Sequence, residues 1–359
     1  MGREIINLDS DVVANPTSEM RAAMAAHEMG EYLDNGDRSV LELERAGAEI
    51  FGKEASIFLP TVTMSNLIAC MYYCRPGEQV ILDEDAHVYL HELGGMARIA
   101  GVIPRVVPRL GAMPDLQAVE STLSHRNKLN ETPAKIVWVE NTHNAGGGIV
   151  VTLPELKKLR SLLTGREIAI HVDGARIFNA AVALNVSLAE LTAPVDSISV
   201  SFNKGMACPF GSLLIGSQSL IEAAVLLRRM LGGRMVKSGA TAAACHVALK
   251  TMIGRLADDH ASARQIADAI KGTTGLKLTA PVATNIIRFE TSELGSARIF
   301  VEMLAEEGVL MGVAGNTSVR AVTHHEITNE KASFAANAIR RVVTKLKSAA
   351  AKEPIKARA

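Results

Sequence analysis

Asp173 in "AIHVDGARIFNAA" and Lys204 at the end of "SISVSFNK" each close a run of apolar residues. A carboxylate carried to that depth is costly to bury unless a cation meets it. A lysine delivered by an apolar strand to the rim of a cleft suits Schiff-base chemistry, which leaves Asp173 in need of a cation other than that ammonium. A pyridinium nitrogen fits. A carboxylate beside it keeps the ring protonated, so that the ring can act as electron sink for a carbanion at an amino acid's α carbon. Thr61, Val62 and Thr63 stand where a helix begins, and hydroxyls with backbone N–H groups at such a start can hold a phosphate. His87 offers a flat ring for stacking. Together the residues describe a pyridoxal 5'-phosphate site.

The elements that must position these groups read as α/β. From about residue 40 the chain alternates helix "SVLELERAGAEIFG", strand "ASIFLP", helix "TMSNLIACMYYC", strand "QVILD", helix "LHELGGMARIAG", strand "IPRVVP", helix "DLQAVESTLS", strand "KIVWVE", helix "LPELKKLRSLLTG", strand "EIAIHVD" and strand "SISVSFN". This order predicts a mostly parallel sheet, with ligands bound at the carboxyl ends of its strands. Those ends carry Thr61 and Thr63, His87, Asn141 and His143, Asp173 and Arg176, and Asn203 and Lys204. Near residue 240 a second part opens with the helical "SGATAAACHVALKTMI" and continues through "SARQIADAIKG", "TNIIRFE", "ARIFVEMLAEEG" and "SVRAVT", a smaller α+β arrangement. The expected division is 1–40 as an N-terminal segment contributing to active site and interface, 41–240 as the large cofactor-binding domain, 241–345 as the small C-terminal domain and 346–359 as a frayed tail.

Through "LDSDVVANPTSEMRAAM", "AHVYLHELGG", "ENTHN", "HVDGARIFNAAVALNV", "NKGMACPFGSLLIGS", "LGGRMVKSG" and "VRAVTH" the chain resembles the threonine aldolases, in the β-eliminating lyase group of fold-type I pyridoxal phosphate enzymes. The resemblance runs from about residue 5 to about 345. It implies Lys204 as the Schiff-base lysine, Asp173 as partner of the pyridine nitrogen and His87 stacked on the ring. Arg176 would serve the cofactor's phenolic oxygen and the substrate carboxylate, with Ser10 and Arg320 completing that clamp. His143 would lie close to the cofactor, Asn203 beside it, and Gly232, Gly233 and Arg234 would serve a neighbouring subunit of a homotetramer. The implied reaction is retro-aldol cleavage of an L-β-hydroxy-α-amino acid, with His87, His143 or a water as the base.

The chain also departs from that family. Thr61-Val62-Thr63 replaces Ser-Gly-Thr at the phosphate cup, and Asp34 stands where a tyrosine is usual, with Tyr32 nearby. Val236 replaces a cross-subunit arginine, with Arg234 or Lys237 able to restore the charge. Asn130, with His125 near it, replaces a histidine. These changes point to altered contacts on the aldehyde side. Taken singly, each residue has a plainer role: Asp173 as a helix cap, Lys204 as a loop lysine, His87 and His143 as hydrogen-bonded structural groups, and Ser10 and Arg320 as surface groups.

Bulk properties exclude little of this and much else. Lys plus Arg and Asp plus Glu each number 38, leaving no net field to draw nucleic acid or an anionic membrane. Cys70, Cys74, Cys208 and Cys245 show no CxxC spacing and read as reduced core thiols, and the charged start "MGREIINLDSDVV" is no signal peptide; a cytoplasmic protein is expected. A metal hydrolase using His171, Asp173, His87 and His143 lacks any HExxH spacing, and no metal is expected. A dinucleotide oxidoreductase would want GxGxxG after the first strand. The remaining competitors are a β-eliminating amino-acid lyase on the same fold and a non-catalytic binding protein that has lost the cofactor.

Overall fold

The computed structural model describes residues 5–28, 37–124 and 131–352. Tyr32, Asp34, His125 and Asn130 lie outside them. The chain forms two compact units, residues 15–254 and residues 1–14 with 255–359. The division falls within a long helix, and the first fourteen residues group with the C-terminal part.

Among the described residues of the larger unit, seven strands form one sheet. In chain order they are β1 (Ala55–Leu59), β2 (Gln79–Asp83), β3 (Ile103–Val107), β4 (Ala134–Glu140), β5 (Ala169–Gly174), β6 (Ser197–Ser201) and β7 (Ser212–Gly216). Their order across the sheet is β1-β7-β6-β5-β4-β2-β3. Pairings among β2 to β6 are parallel, whereas β7 runs antiparallel to both β1 and β6. The central strands are buried along almost their whole length, polar residues such as Ser197, Ser199 and His171 included, as a parallel sheet covered on both faces demands. Trp138, Leu82, Val80 and Ile136 pack with Cys70 and Cys74 on one side; Ile57, Leu59 and Leu214 pack with Ile68 and Leu220 elsewhere. All four cysteines are buried and unpaired with one another.

The helix Arg38–Phe51 starts on Asp37, whose side chain accepts from Ser39 N–H, and stops at Gly52. Gly52 takes φ +61°, a left-handed conformation that glycine adopts without a Cβ penalty. Val62–Tyr73 forms the next helix, with Thr61 as its N-cap accepting from Met64 N–H. Because β2 connects outward to β3 and the chain then returns to β4, the sheet reverses its winding between β2 and β4, where crevices form in such folds.

The smaller unit holds a four-stranded antiparallel sheet with order Lys277–Leu278, Ile286–Glu290, Ser318–Val322 and Gly312–Val313. Ile6–Asn7 pairs in parallel with Val309–Leu310, which ties the N-terminal residues to this unit. Its core gathers Phe289, Phe300, Ile266, Ile339 and their neighbours.

Several elements differ from the sequence reading. "LHELGGMARIAG" is not one helix: His87–Leu90 and Gly95–Arg98 are separate turns, broken where Leu93 and Gly94 take φ of +53° and +70°. Strand β7 and the helix Gln218–Met230 were not anticipated, since "SLLIG" is too short for periodicity to type it. "SGATAAACHVALKTMI" and "SARQIADAIKG" lie in one helix, Gly239–Lys271. The last helix, Asn329–Lys352, runs into the expected tail. No helix among the described residues is long and apolar enough to cross a membrane.

Candidate active site

Asp173 reaches the carboxyl end of β5 in register with Glu140 of β4 and Ser199 of β6. It is 2% exposed. Its Oδ1 accepts from Ala175 N–H at 3.1 Å, and its Oδ2 accepts from Asn66 Nδ2 at 2.9 Å. Asn66 lies one turn into the helix that Thr61 caps, so one helix carries the hydroxyl pair at its start and this amide on its buried face. The same amide nitrogen donates to Glu92 Oε1 at 2.9 Å, and that oxygen lies 3.2 Å from His87 Nδ1. The Glu92 side chain is 4% exposed and the His87 side chain 34%, so the ring is partly exposed while its carboxylate partner is buried. Asn66 Oδ1 finds no hydrogen-bond partner among the described residues.

Donor atoms of His87, Glu92 and Asp173 all lie within 4.8 Å of one another. Asn66 already places an N–H donor between the two carboxylates, so the cluster is built to be answered by a hydrogen-bond donor of positive charge. That is what a pyridinium N–H offers a carboxylate. The hydrogen bond to Glu92 raises the His87 pKa; burial opposes the rise, Asp173 and Glu140 add to it, and the Lys204 ammonium works against it. Those four side chains are therefore electrostatic neighbours of one imidazole.

Lys204 follows β6 in a tight turn closed by Ala207 N–H to Lys204 O (2.8 Å), Cys208 N–H to Phe202 O (2.8 Å) and Phe202 N–H to Gly211 O (2.9 Å). Lys204 is half-buried, as is Asn203, whose Oδ1 accepts from Ser201 Oγ at 2.6 Å. At the phosphate-cup position, Thr61 and Thr63 are exposed. Val62 is the first helical residue and has no positive φ, so this position does not require glycine's freedom. Met64 N–H is taken up by Thr61 Oγ1, while the amides of Val62 and Thr63 have no intrahelical acceptor and suit an anion.

Glu140, which sequence reasoning did not single out, is a hub. Its Oε2 accepts from His87 N–H at 2.9 Å and its Oε1 from Asn144 N–H at 2.8 Å. Arg176, 6% exposed, donates from Nη1 to Asn144 Oδ1 at 3.4 Å. Burial raises the Glu140 pKa; His143 opposes this and Asp173 reinforces it. His143 is fully buried, with Nδ1 accepting from Gly146 N–H at 3.1 Å and Nε2 set 3.2 Å from Asp83 Oδ1. Burial alone would lower its pKa, but Asp83 and Glu140 together raise it. The Asp83–His143 pair links the end of β2 to the segment that follows β4, at the reversal of winding. His171 lies two residues before Asp173 on β5, and its nitrogens are engaged within the protein: they meet Ser197 Oγ at 2.7 Å and Ser199 Oγ at 3.2 Å, and its ring lies 4.3 Å from that of Trp138.

Gly232 takes φ +77° after the helix Gln218–Met230, and a Cβ on Gly233 would collide with Met64 Sδ of the same chain. That loop therefore lies against its own Thr61–Met64 turn, with Arg234 half-buried beside it. Ser10 and Arg320 belong to the smaller unit. There Ser10 caps the short helix Asp11–Val13 and Arg320 Nη2 donates to Asp9 O at 3.1 Å, which brings the two residues near each other. Asn66 and Glu92 were missed as well; the signal for Asn66 was a lone amide immediately before the apolar run "LIACMYY" of the same helix.

The family model for beta-eliminating lyases matches residues 7–294. A low-specificity L-threonine aldolase of Arabidopsis thaliana is 36% identical over 338 residues, covering 92% of this chain and 94% of that protein. The low specificity L-threonine aldolase of Escherichia coli K12 is 36% identical over 334 residues, covering 91% and 96%. Among solved structures, a threonine aldolase of Leishmania major superposes with a TM-score of 0.80 at 21% identity, covering 96% of this chain and 99% of that one, a likeness of fold.

Proposed function

The chain belongs to the beta-eliminating lyase family, and from that membership we propose that it is a pyridoxal 5'-phosphate-dependent aldolase. Its substrates are L-β-hydroxy-α-amino acids of the threonine, allo-threonine or phenylserine type, cleaved to glycine and an aldehyde. The observation that carries this reading is the buried Asp173 carboxylate, held by Asn66 and Ala175 and sharing electrostatic surroundings with His87 and Lys204. Similarity to the threonine aldolases of Arabidopsis thaliana and Escherichia coli supports the choice of reaction.

Lys204 would hold the cofactor's aldehyde, Asp173 its ring nitrogen, His87 its face, and Thr61, Val62 and Thr63 its phosphate, with Asn203 alongside. When bound, the cofactor supplies a protonated ring that takes up the electron pair released as the Cα–Cβ bond breaks. Asp173 holds the ring-nitrogen proton in place. His87 accepts the β-hydroxyl proton at Nε2, the nitrogen turned away from Glu92, while the O–H electron pair becomes the aldehyde C=O. His143 serves as a positioning group, since both its nitrogens are engaged within the protein. Arg176 suits the carboxylate of the substrate by its planar fork; for Ser10 and Arg320 that role rests on the resemblance.

The resemblance also supports a cytoplasmic homotetramer in which Gly232, Gly233 and Arg234 serve a neighbouring subunit; sedimentation should then give a tetramer. The reading is tested by titrating the cofactor-loaded protein with glycine. Growth of a long-wavelength absorbance band is expected, because glycine loses its α proton to give the same carbanion. An absorbance that never responds to glycine would overturn it.

A further inference from the structure

One amide ties the two carboxylates of the site together. Asn66 Nδ2 donates to Asp173 Oδ2 and to Glu92 Oε1, both at 2.9 Å, and Glu92 Oε1 faces His87 Nδ1 at 3.2 Å. The orientation of the amide follows from its neighbours: reversed, Asn66 Oδ1 would point at two carboxylate oxygens. Asn66 is wholly buried and Glu92 nearly so. A carboxylate oxygen can only accept, so the short approach to His87 needs a proton on Nδ1. The other groups facing the imidazole are Asp173, Glu140 and Lys204, and the His91 ring lies 5.3 Å away.

We propose that Glu92 is a positioning residue for the reaction: it fixes His87 as the Nδ1–H tautomer, leaves Nε2 as the proton-accepting atom, and through Asn66 locks that arrangement to Asp173. This rests on the reading of His87 as the base. Glu92 touches neither cofactor nor substrate in this account and acts through the imidazole, as an orienting carboxylate does for other catalytic histidines. Asn66 supplies the fixed length between Asp173 and Glu92, so that the atom holding the ring nitrogen and the atom taking the hydroxyl proton are set by one amide.

The experiment compares Glu92→Gln and Glu92→Leu with wild type by the pH profile of kcat/KM and by NMR titration of the His87 ring in selectively labelled protein. Glutamine keeps an acceptor for Nδ1–H but removes the charge. Both the His87 titration and the acid limb of the profile should move to lower pH in that variant. Leucine removes the acceptor too, and kcat should fall about ten- to a hundredfold with a smaller change in KM, as is typical when an orienting partner of a functional histidine is lost. An unmoved His87 titration in Glu92→Gln, with its Nε2–H tautomer populated in wild type, would overturn the inference. His87→Asn separates the two claims: if it leaves the acid limb in place, His87 is not the base, while the NMR result on Glu92 still stands or falls by itself.

Discussion

Lys204→Ala should abolish turnover and the visible absorbance of bound cofactor while circular dichroism shows an intact fold; wild-type activity in that variant would remove Lys204 from its role. Asp173→Asn keeps the bond from Ala175 but loses both the charge and the acceptor for Asn66 Nδ2, so kcat should drop on the order of a thousandfold or more. Near-normal turnover would refute the electron-sink pairing. The places of Asp173, Lys204, His87 and Thr61–Thr63, at or just past the carboxyl ends of strands, were legible in the sequence because each follows a mostly apolar run. Asn66 and Glu140 were not, because their hydrogen bonds reach across 26, 107 and 53 residues of sequence, and Glu92 was not, because it meets His87, five residues earlier, only where the helical pattern is broken. No local pattern encodes such pairings.

Among the elements, strand β5 is tightly packed where it exits toward the site. A Cβ on Gly174 would stand 2.9 Å from Ser199 O and 3.0 Å from both Ile177 Cβ and Ile198 Cγ2, two of them on the neighbouring strand. Gly174→Ala should therefore destabilise the protein by about 1–3 kcal/mol and weaken cofactor retention, because the backbone that carries Asp173 must shift. An unchanged melting temperature with unchanged cofactor affinity would show that the strand gives way freely. Long periodic elements such as Arg38–Phe51 and the alternation of strands and helices were readable from apolar spacing and caps. The break at Leu93–Gly94 was not, since "LHELGG" satisfies helical periodicity while the backbone turns left-handed; that break is what places Glu92 under His87.

For the whole molecule, buried neutral histidines in both units predict sensitivity to acid. Burial lowers His171 to about 3, and burial with Arg264 and Arg255 nearby lowers His260 to about 4. Unfolded, each would take a proton at about 6.5. Between those values the unfolded chain binds more protons than the folded one, so stability falls as the pH drops below about 6.5. His171→Gln should flatten that fall in denaturant midpoints; comparison with wild type separates it from His87 and His143, whose raised values act above 6.5. An identical slope in both proteins would contradict it. The sequence revealed the class of fold and its carboxyl-edge crevice, but not that the first fourteen residues join the C-terminal unit, because the pairing of Ile6–Asn7 with Val309–Leu310 leaves no trace in either stretch alone. The central claim, cleavage between Cα and Cβ, is tested most directly by supplying L-threonine, L-allo-threonine and L-phenylserine to the cofactor-loaded protein and quantifying every product. Equal amounts of glycine and aldehyde are predicted, whereas ammonia with a 2-oxo acid would show elimination of the β-hydroxyl and contradict the account.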